Sequence, residues 1–259
     1  MSRPMPAVYL VARPQFDAER FLAFLQHENE RWQRSEGATP SEEIVEAAGR
    51  ICYMSFGDRQ APRSNAEYIA HLITMGHESV LEHVSWSFLV TGVSRAFTHQ
   101  LVRHRVGVAF SQLSQQYHDE SDATFVMPSQ VARSAAAEAA WQQAVTAARV
   151  AYRELRDALA PPSTATTEDA RREARRAWRS AARSILPNAT ETKLFMTANA
   201  RALRHLLAVR GTVVGDEEMR QVMAQILRLV RDEAAALFPD FQVGALPDGS
   251  PIVVRTPPS

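Results

Sequence analysis

The sequence predicts an α+β fold: a helix-rich single domain spanning residues 1–259. Three observations carry that prediction. Apolar residues recur at helical spacing through most of the chain, whereas residues 83–92 alternate at a period of two. A length of 259 residues with 46% hydrophobic side chains is enough to bury a sizeable core. No internal repeat and only one clear linker interrupts the pattern.

In chain order, residues 7–12 (AVYLVA) read as a short first strand. Residues 17–33 read as an amphipathic helix with Phe21, Leu22, Leu25 and Trp32 near one stripe. A second helix opens at Ser41 and runs toward Cys52, with Ile44, Val45, Ala48 and Ile51 apolar. Ser41 is its expected N-cap, and Glu42 and Glu43 suit the partial positive charge of the first turn. Residues 65–76 form a helix ending at Gly76, and 83–92 a half-buried strand through Val84, Trp86, Phe88 and Val90. Helical spacing returns over 94–105, followed by a polar loop and a short strand around Thr124–Met127. Residues 131–159 are alanine-rich and helical, Ala160–Thr167 (APPSTATT) is the linker, and a helix from Glu168 stops before Pro187. Residues 191–210 and 216–237 complete the helical part, and the tail from Phe238 is rich in proline and glycine.

The 29 basic and 29 acidic side chains balance, which argues against general affinity for nucleic acid or a membrane surface. No apolar run reaches bilayer length. The opening MSRPMPAVYLVARPQF, broken by Arg13 and Pro14, is no secretion signal, so a cytoplasmic location is expected. The single cysteine, Cys52, excludes an internal disulfide; its apolar context (ICYMSF) suggests a small buried side chain rather than a nucleophile.

The densest cluster of chemically capable side chains runs from His99 to Tyr117. Arg103 and Arg105 flank His104, and Arg gives planar paired donors to a phosphate or carbonyl oxygen. By residue type alone, the cluster reads first as a solvated basic helix end followed by a polar loop. His77, Glu78, Glu82 and His83 lack the HExxH order of a zinc site, and no metal is expected. RREARRAWRSAAR (Arg171–Arg183) reads mostly as a solvated face, with Glu168, Asp169 and Glu173 nearby. Its use for RNA binding would need a basic net charge that the chain lacks.

Order and spacing carry more. GHESVLEH (Gly76–His83), SRAFTHQLVRHR (Ser94–Arg105), SQLSQQY (Ser111–Tyr117), RSILP (Arg183–Pro187) and TANARALRHLLAVR (Thr197–Arg210) together resemble flavin-dependent thymidylate synthases over roughly residues 45–220. The resemblance implies a central antiparallel sheet and a homotetramer with active sites between subunits. It also implies transfer of a one-carbon unit from methylenetetrahydrofolate to C5 of a uracil nucleotide, with FAD, reduced by NADPH, supplying the hydride. By motif, His77, Ser79, Arg103, His104, Arg105, Gln112, Asn199, Arg201 and His205 would line the flavin site. Gln100, Arg103, Gln112, Ser114, Gln115, Gln116, Arg183 and Arg210 would hold the nucleotide. Arg210 would be the catalytic residue, its guanidinium opposing negative charge on the activated pyrimidine. A cysteine nucleophile is not needed for a hydride-driven route.

Two departures bear on the substrate. Eight residues, Val106–Leu113, separate Arg-His-Arg from Ser114 where the family pattern has seven, and Gln116 stands where the family usually has arginine. Both fall in the nucleotide loop, so relaxed selection between UMP and dUMP is expected. An ordinary dUMP methylase and a non-catalytic flavin- or nucleotide-binding relative are the alternatives.

Overall fold

The computed structural model describes residues 4–61, 64–159 and 167–256; apart from Thr167, the expected linker lies outside them. The fold is α+β, as expected. A four-stranded antiparallel sheet has the order β1-β2-β4-β3, formed by β1 (Ala7–Ala12), β2 (Ser85–Ser94), β3 (Val108–Gln112) and β4 (Glu191–Asn199). A separate antiparallel hairpin pairs β5 (Phe241–Ala245) with β6 (Pro251–Arg255), placing Phe241 opposite Arg255. The helices are α1 (Ala18–His27), α2 (Pro40–Ile51), α3 (Asn65–Thr74), α4 (Arg95–Leu101), α5 (Ser129–Ala132), α6 (Ala135–Leu159), α7 (Glu168–Ala182), α8 (Ala200–Arg210) and α9 (Glu217–Ala234). None of them is long and apolar enough to cross a membrane.

Contacts divide the chain into two compact units, each discontinuous in sequence. The first holds Val90–Arg103 and Ser111–Phe195 with the segment through Ala7; the second holds Val8–Leu89, His104–Phe110 and the chain from Met196 onward.

In the second unit, α9 is the central helix. Met219, Val222, Met223, Ile226, Leu227 and Val230 recur at helical spacing and are fully buried. Trp86 and Phe88 from β2 are also buried, and the Trp86 ring lies 6.1 Å from Phe238. At α2, Thr39 is the N-cap, not Ser41. Its hydroxyl accepts from the Glu42 backbone N–H, the Glu42 carboxylate accepts from the Thr39 N–H, and Pro40 occupies the first helical position. The other Glu42 oxygen accepts from the Ala236 N–H at 2.9 Å, so the capping box also fastens the end of α9. The expected helix over 17–33 stops at His27; Asn29 adopts a left-handed φ of 56°, and Trp32 belongs to the following loop. Trp32 still joins Leu25, Ala47 and Phe56 in one buried cluster.

In the first unit, a loop is seated on the long helix α6. Tyr152 is fully buried, and its hydroxyl accepts from the Glu120 N–H at 3.2 Å. Arg153 and Arg156 donate to Ser121 from the same helix. At Gly92 the φ of +66° and a hypothetical Cβ only 2.1 Å from the Met5 carbonyl oxygen admit no side chain.

Several elements depart from the sequence reading. Residues 191–199 form a strand rather than the start of a helix, and helix 94–105 is shortened to Arg95–Leu101. The polar loop contains β3, while the strand expected around Thr124–Met127 reduces to a bridge between Phe125 and Thr190. The helix from Glu168 ends at Ala182 and tightens into a 3₁₀ turn, Arg183–Ile185. The proline- and glycine-rich tail is the hairpin β5–β6. Cys52 is exposed, not buried; it caps α2 with its thiol directed to the Ala48 carbonyl at 3.4 Å.

Candidate active site

Both long strands run directly into a helix through a capping side chain. Ser94 ends β2 and its hydroxyl accepts from the Phe97 N–H; Asn199 ends β4 and its side-chain oxygen accepts from the Ala202 N–H at 2.8 Å. Such loopless junctions fix the direction in which α4 and α8 leave the sheet; α4 carries Gln100, and α8 carries Arg201, His205 and Arg210.

In the second unit, α8 brings two sequence-distant motifs together. Arg210 Nε–H, in the last turn of α8, donates to His104 Nε2 at 2.9 Å, and the His104 and His205 rings lie 5.9 Å apart. Burial lowers the His104 pKa from its ordinary value, and the positive charge of Arg210 and the proximity of His205 lower it further. Neutral imidazole is required at Nε2 to accept the Arg210 hydrogen bond. Since the unfolded histidine titrates at its ordinary value, the unfolded chain binds more protons just below that pH. Stability therefore falls as pH is lowered through the window between the two values, and nothing is lost above it. Removing Arg210 takes away one of the depressing charges. The His104 midpoint, followed by NMR, should accordingly rise toward about 6.5 in an Arg210→Ala protein; an unchanged midpoint would show that the pair does not form in solution.

A cavity of about 590 Å³ opens beside the same helix. Asn199, Arg201 and His205 line it together with Gly107 from the segment after Arg-His-Arg. Gly107 has φ +70°, and a Cβ there would sit 2.7 Å from the Asn199 side-chain nitrogen. The Asn199 N–H donates to the Gly107 carbonyl at 3.0 Å, so only glycine allows this approach. Arg201 donates to Glu82 at 2.6 Å and lies 3.7 Å from Glu78. Those carboxylates, weighed above as metal ligands, are thus taken up by a guanidinium. The volume falls in the range of cofactor pockets, about 300–1,000 Å³, and donors and acceptors converge on it. The residues present fit a flavin.

Other residues expected on the flavin side are more open. His77 and Ser79 are exposed at the start of the 3₁₀ turn Glu78–His83, and Arg103 and Arg105 are exposed on either side of His104. Gln112, in the first unit, donates through its amide to Thr98 at 3.0 Å and Thr192 at 3.4 Å.

The expected nucleotide residues other than Arg210 all fall in the first unit. The Ser114 hydroxyl accepts from the Gln116 N–H at 3.3 Å, Gln115 is buried, and Gln100 is half-buried on α4. Arg183 is half-buried in the 3₁₀ turn, close enough for its charge to act on Arg95. Burial first, and then that like charge, hold Arg95 below the ordinary guanidinium value against the opposing pull of Glu120. Burial raises the Glu120 carboxyl above its ordinary value despite His118 and Arg95.

Sequence reasoning missed two arginines here. The Gln116 amide donates to Ser180 and its oxygen accepts from Arg176 Nε–H, each at 3.4 Å, and Arg176 also lies over the Tyr117 ring. Arg179 donates to the Tyr117 carbonyl at 2.6 Å. Arg176 also lies 3.7 Å from Glu173, so the solvated-face reading holds for part of α7 only. The helical spacing of Arg176, Arg179 and Arg183 was the available signal.

The family model described as thymidylate synthase complementing protein matches residues 37–235, ending before β5. A flavin-dependent thymidylate synthase of Corynebacterium aurimucosum is 41% identical over 221 residues, covering 85% of this chain and 87% of that protein. The same-named protein of Mycobacterium sp. (strain KMS) is 43% identical over 81% of this chain and 83% of its own length. That of Mycobacterium avium (strain 104) is 39% identical over 88% and 90%, respectively.

Proposed function

This chain belongs to the flavin-dependent thymidylate synthase family, and we propose on that footing that it reductively methylates C5 of a uracil nucleotide. The one-carbon unit comes from methylenetetrahydrofolate and the reducing equivalents from NADPH. In this reading the enzyme works in the cytoplasm as a homotetramer. The observation that carries the proposal is the Arg210–His104 hydrogen bond, which ties the Arg-His-Arg motif to the helix bearing Asn199, Arg201 and His205.

When bound and reduced by NADPH, FAD would supply the hydride that completes the new methyl group. Asn199, Arg201 and His205 line the cavity that would hold that cofactor, and Gly107 keeps the cavity wall free of a side chain. Uracil C5 is a weak nucleophile. Arg210 activates it by opposing the charge that builds on the pyrimidine oxygen and N3, acting best where water is excluded. Neutral His104 engages the Arg210 Nε–H, which sets the plane of the guanidinium without cancelling its charge. Arg183, Ser114 and Gln115 bind the nucleotide.

The proposed selectivity extends to UMP as well as dUMP. Its support is the eight-residue spacing before Ser114 and the neutral Gln116, engaged with Ser180 and Arg176. A longer loop can accommodate or pair with a ribose 2′-hydroxyl, and pairing of a buried hydroxyl discriminates strongly. The rival is strict dUMP methylation, favoured by the names of the relatives. Incubation with FAD, NADPH, methylenetetrahydrofolate and either nucleotide, followed by mass spectrometry, is expected to give both methylated products with kcat/KM values within about tenfold. A dUMP preference above about a hundredfold, roughly 2.7 kcal/mol, removes the broader selectivity. Flavin uptake with no folate-dependent product from either nucleotide removes the enzyme.

A further inference from the structure

The cavity beside α8 has a second wall that the motif residues leave unexplained: Phe241 from β5, Arg255 from β6 and Arg204 from α8. Asp240 organises this wall. Its carboxylate accepts from Arg204 Nη1–H at 2.6 Å and Nη2–H at 2.9 Å, and from Arg255 Nε–H at 2.9 Å. Both guanidiniums also lie against the Phe241 ring, their carbons 5.2 and 5.4 Å from its centroid. Against burial, which would raise it, these arginines hold the Asp240 carboxyl below its ordinary value.

One carboxylate cannot neutralise two guanidiniums, so this cluster keeps a positive charge. The Arg204 side chain is 4% exposed and that of Arg255 44%, so the charge meets the cavity at Arg255. The other ion cluster lining the cavity has the reverse balance, with Arg201 shared between Glu78 and Glu82. The cavity is therefore bipolar and orients an anion toward Arg255.

Arg255 is also held in place. The Val253 N–H donates to the Gly211 carbonyl at 3.0 Å, where a Cβ on Gly211 would meet Val253 at 2.6 Å. Buried Arg220 donates to the Pro251 carbonyl and the Ser250 hydroxyl, and Arg231 to the Phe241 carbonyl. A cation fixed by its own hydrogen bond loses little freedom on gripping a ligand.

We propose that Arg255, set by Asp240 and Phe241, is a phosphate-binding residue of this cavity, engaging a phosphate group of a dinucleotide cofactor. The assignment rests on the cavity being a cofactor site. The phosphate belongs either to the flavin or to the nicotinamide reductant, and substrate pairs differing in that group separate the two. Full-length wild-type, Arg255→Gln and Arg255→Lys proteins are titrated with FAD and riboflavin, and assayed with NADPH and NADH. If the flavin's phosphate is bound, Arg255→Gln lowers the FAD-to-riboflavin affinity ratio about tenfold, and lysine restores part of it. If it is the 2′-phosphate of the reductant, the NADPH-to-NADH ratio of kcat/KM falls instead. A purely structural arginine would change both members of each pair alike, and two unchanged ratios overturn the proposal. Wild-type protein that takes up no flavin overturns the cavity's cofactor reading, and this assignment with it.

Discussion

Replacing Arg210 by alanine is expected to lower kcat by about 10²–10³-fold, the cost typical of removing one preorganised charge-stabilising group. The KM for the nucleotide should change far less if, as proposed, the guanidinium acts on charge that develops only as C5 becomes nucleophilic. Arginine at the last position of a helix has a plainer use, satisfying the final carbonyls of α8. The two roles predict different results. A capping arginine contributes to melting temperature and little to turnover, whereas an activating one does the opposite. Arg210→Lys keeps the charge but loses the planar Nε–H that reaches His104, so an intermediate loss is expected. His104→Ala, which leaves Arg210 in place but unaligned, should cost about tenfold in kcat through lost orientation. A drop below about tenfold in Arg210→Ala, with unchanged flavin affinity, would assign the activating role elsewhere.

The helices were largely legible from sequence, and the reasons for the exceptions are local. In 191–199 the alternation was present: Thr192, Leu194, Met196 and Ala198 are buried, while Lys193 and Phe195 are exposed. Two of the four buried positions are Thr and Ala, which blunts the contrast a period-two pattern needs. No glycine or proline marks the junction either, because Asn199 serves at once as the end of β4 and the N-cap of α8. Ser94 performs the same service between β2 and α4, and there the wider apolar contrast of Trp86 and Phe88 betrayed the strand. The hairpin β5–β6 was hidden because the tail was characterised only by its Gly and Pro content, although Asp248-Gly249 is a turn signal and Gly249 adopts φ +80°.

The candidate site was legible in a different way. Resemblance named its residues one by one, but their pairing is a property of the fold. Arg210 and His104 lie 106 positions apart, and no spacing rule joins them. Likewise Arg204, Asp240 and Arg255 come from a helix, a turn and a strand, and only the folded chain reveals one carboxylate shared by two arginines. Cys52 shows the opposite limit. Its neighbours are apolar, yet at the C-cap of α2 its position in the turn exposes the thiol.

Glu46→Ala is expected to be among the most destabilising single substitutions in the chain, at about 3–5 kcal/mol. The Glu46 side chain is 1% exposed and its carboxylate accepts from three donors. These are Arg50 Nε–H at 2.7 Å, Asn65 Nδ2–H at 2.7 Å and Trp32 Nε1–H at 3.3 Å. Alanine would strand all three and leave the Arg50 cation, 2% exposed, without its counter-ion. The remaining partners of Arg50 are weak: the Ser55 and Gln60 carbonyls at 3.2 and 3.4 Å and the face of Tyr68 at 4.2 Å, and one of its terminal nitrogens is already buried without an acceptor. For a chain of this size the loss corresponds to a fall in Tm of roughly 6–20 °C. Replacing both Glu46 and Arg50 by leucine removes the stranded charge together with its partner and should recover much of the stability, since well-packed apolar pairs often match buried ion pairs. Urea unfolding of the single and double variants checks both expectations. A Glu46→Ala loss below about 1 kcal/mol would mean that water reaches Arg50 and that the network between α2 and α3 is not sealed.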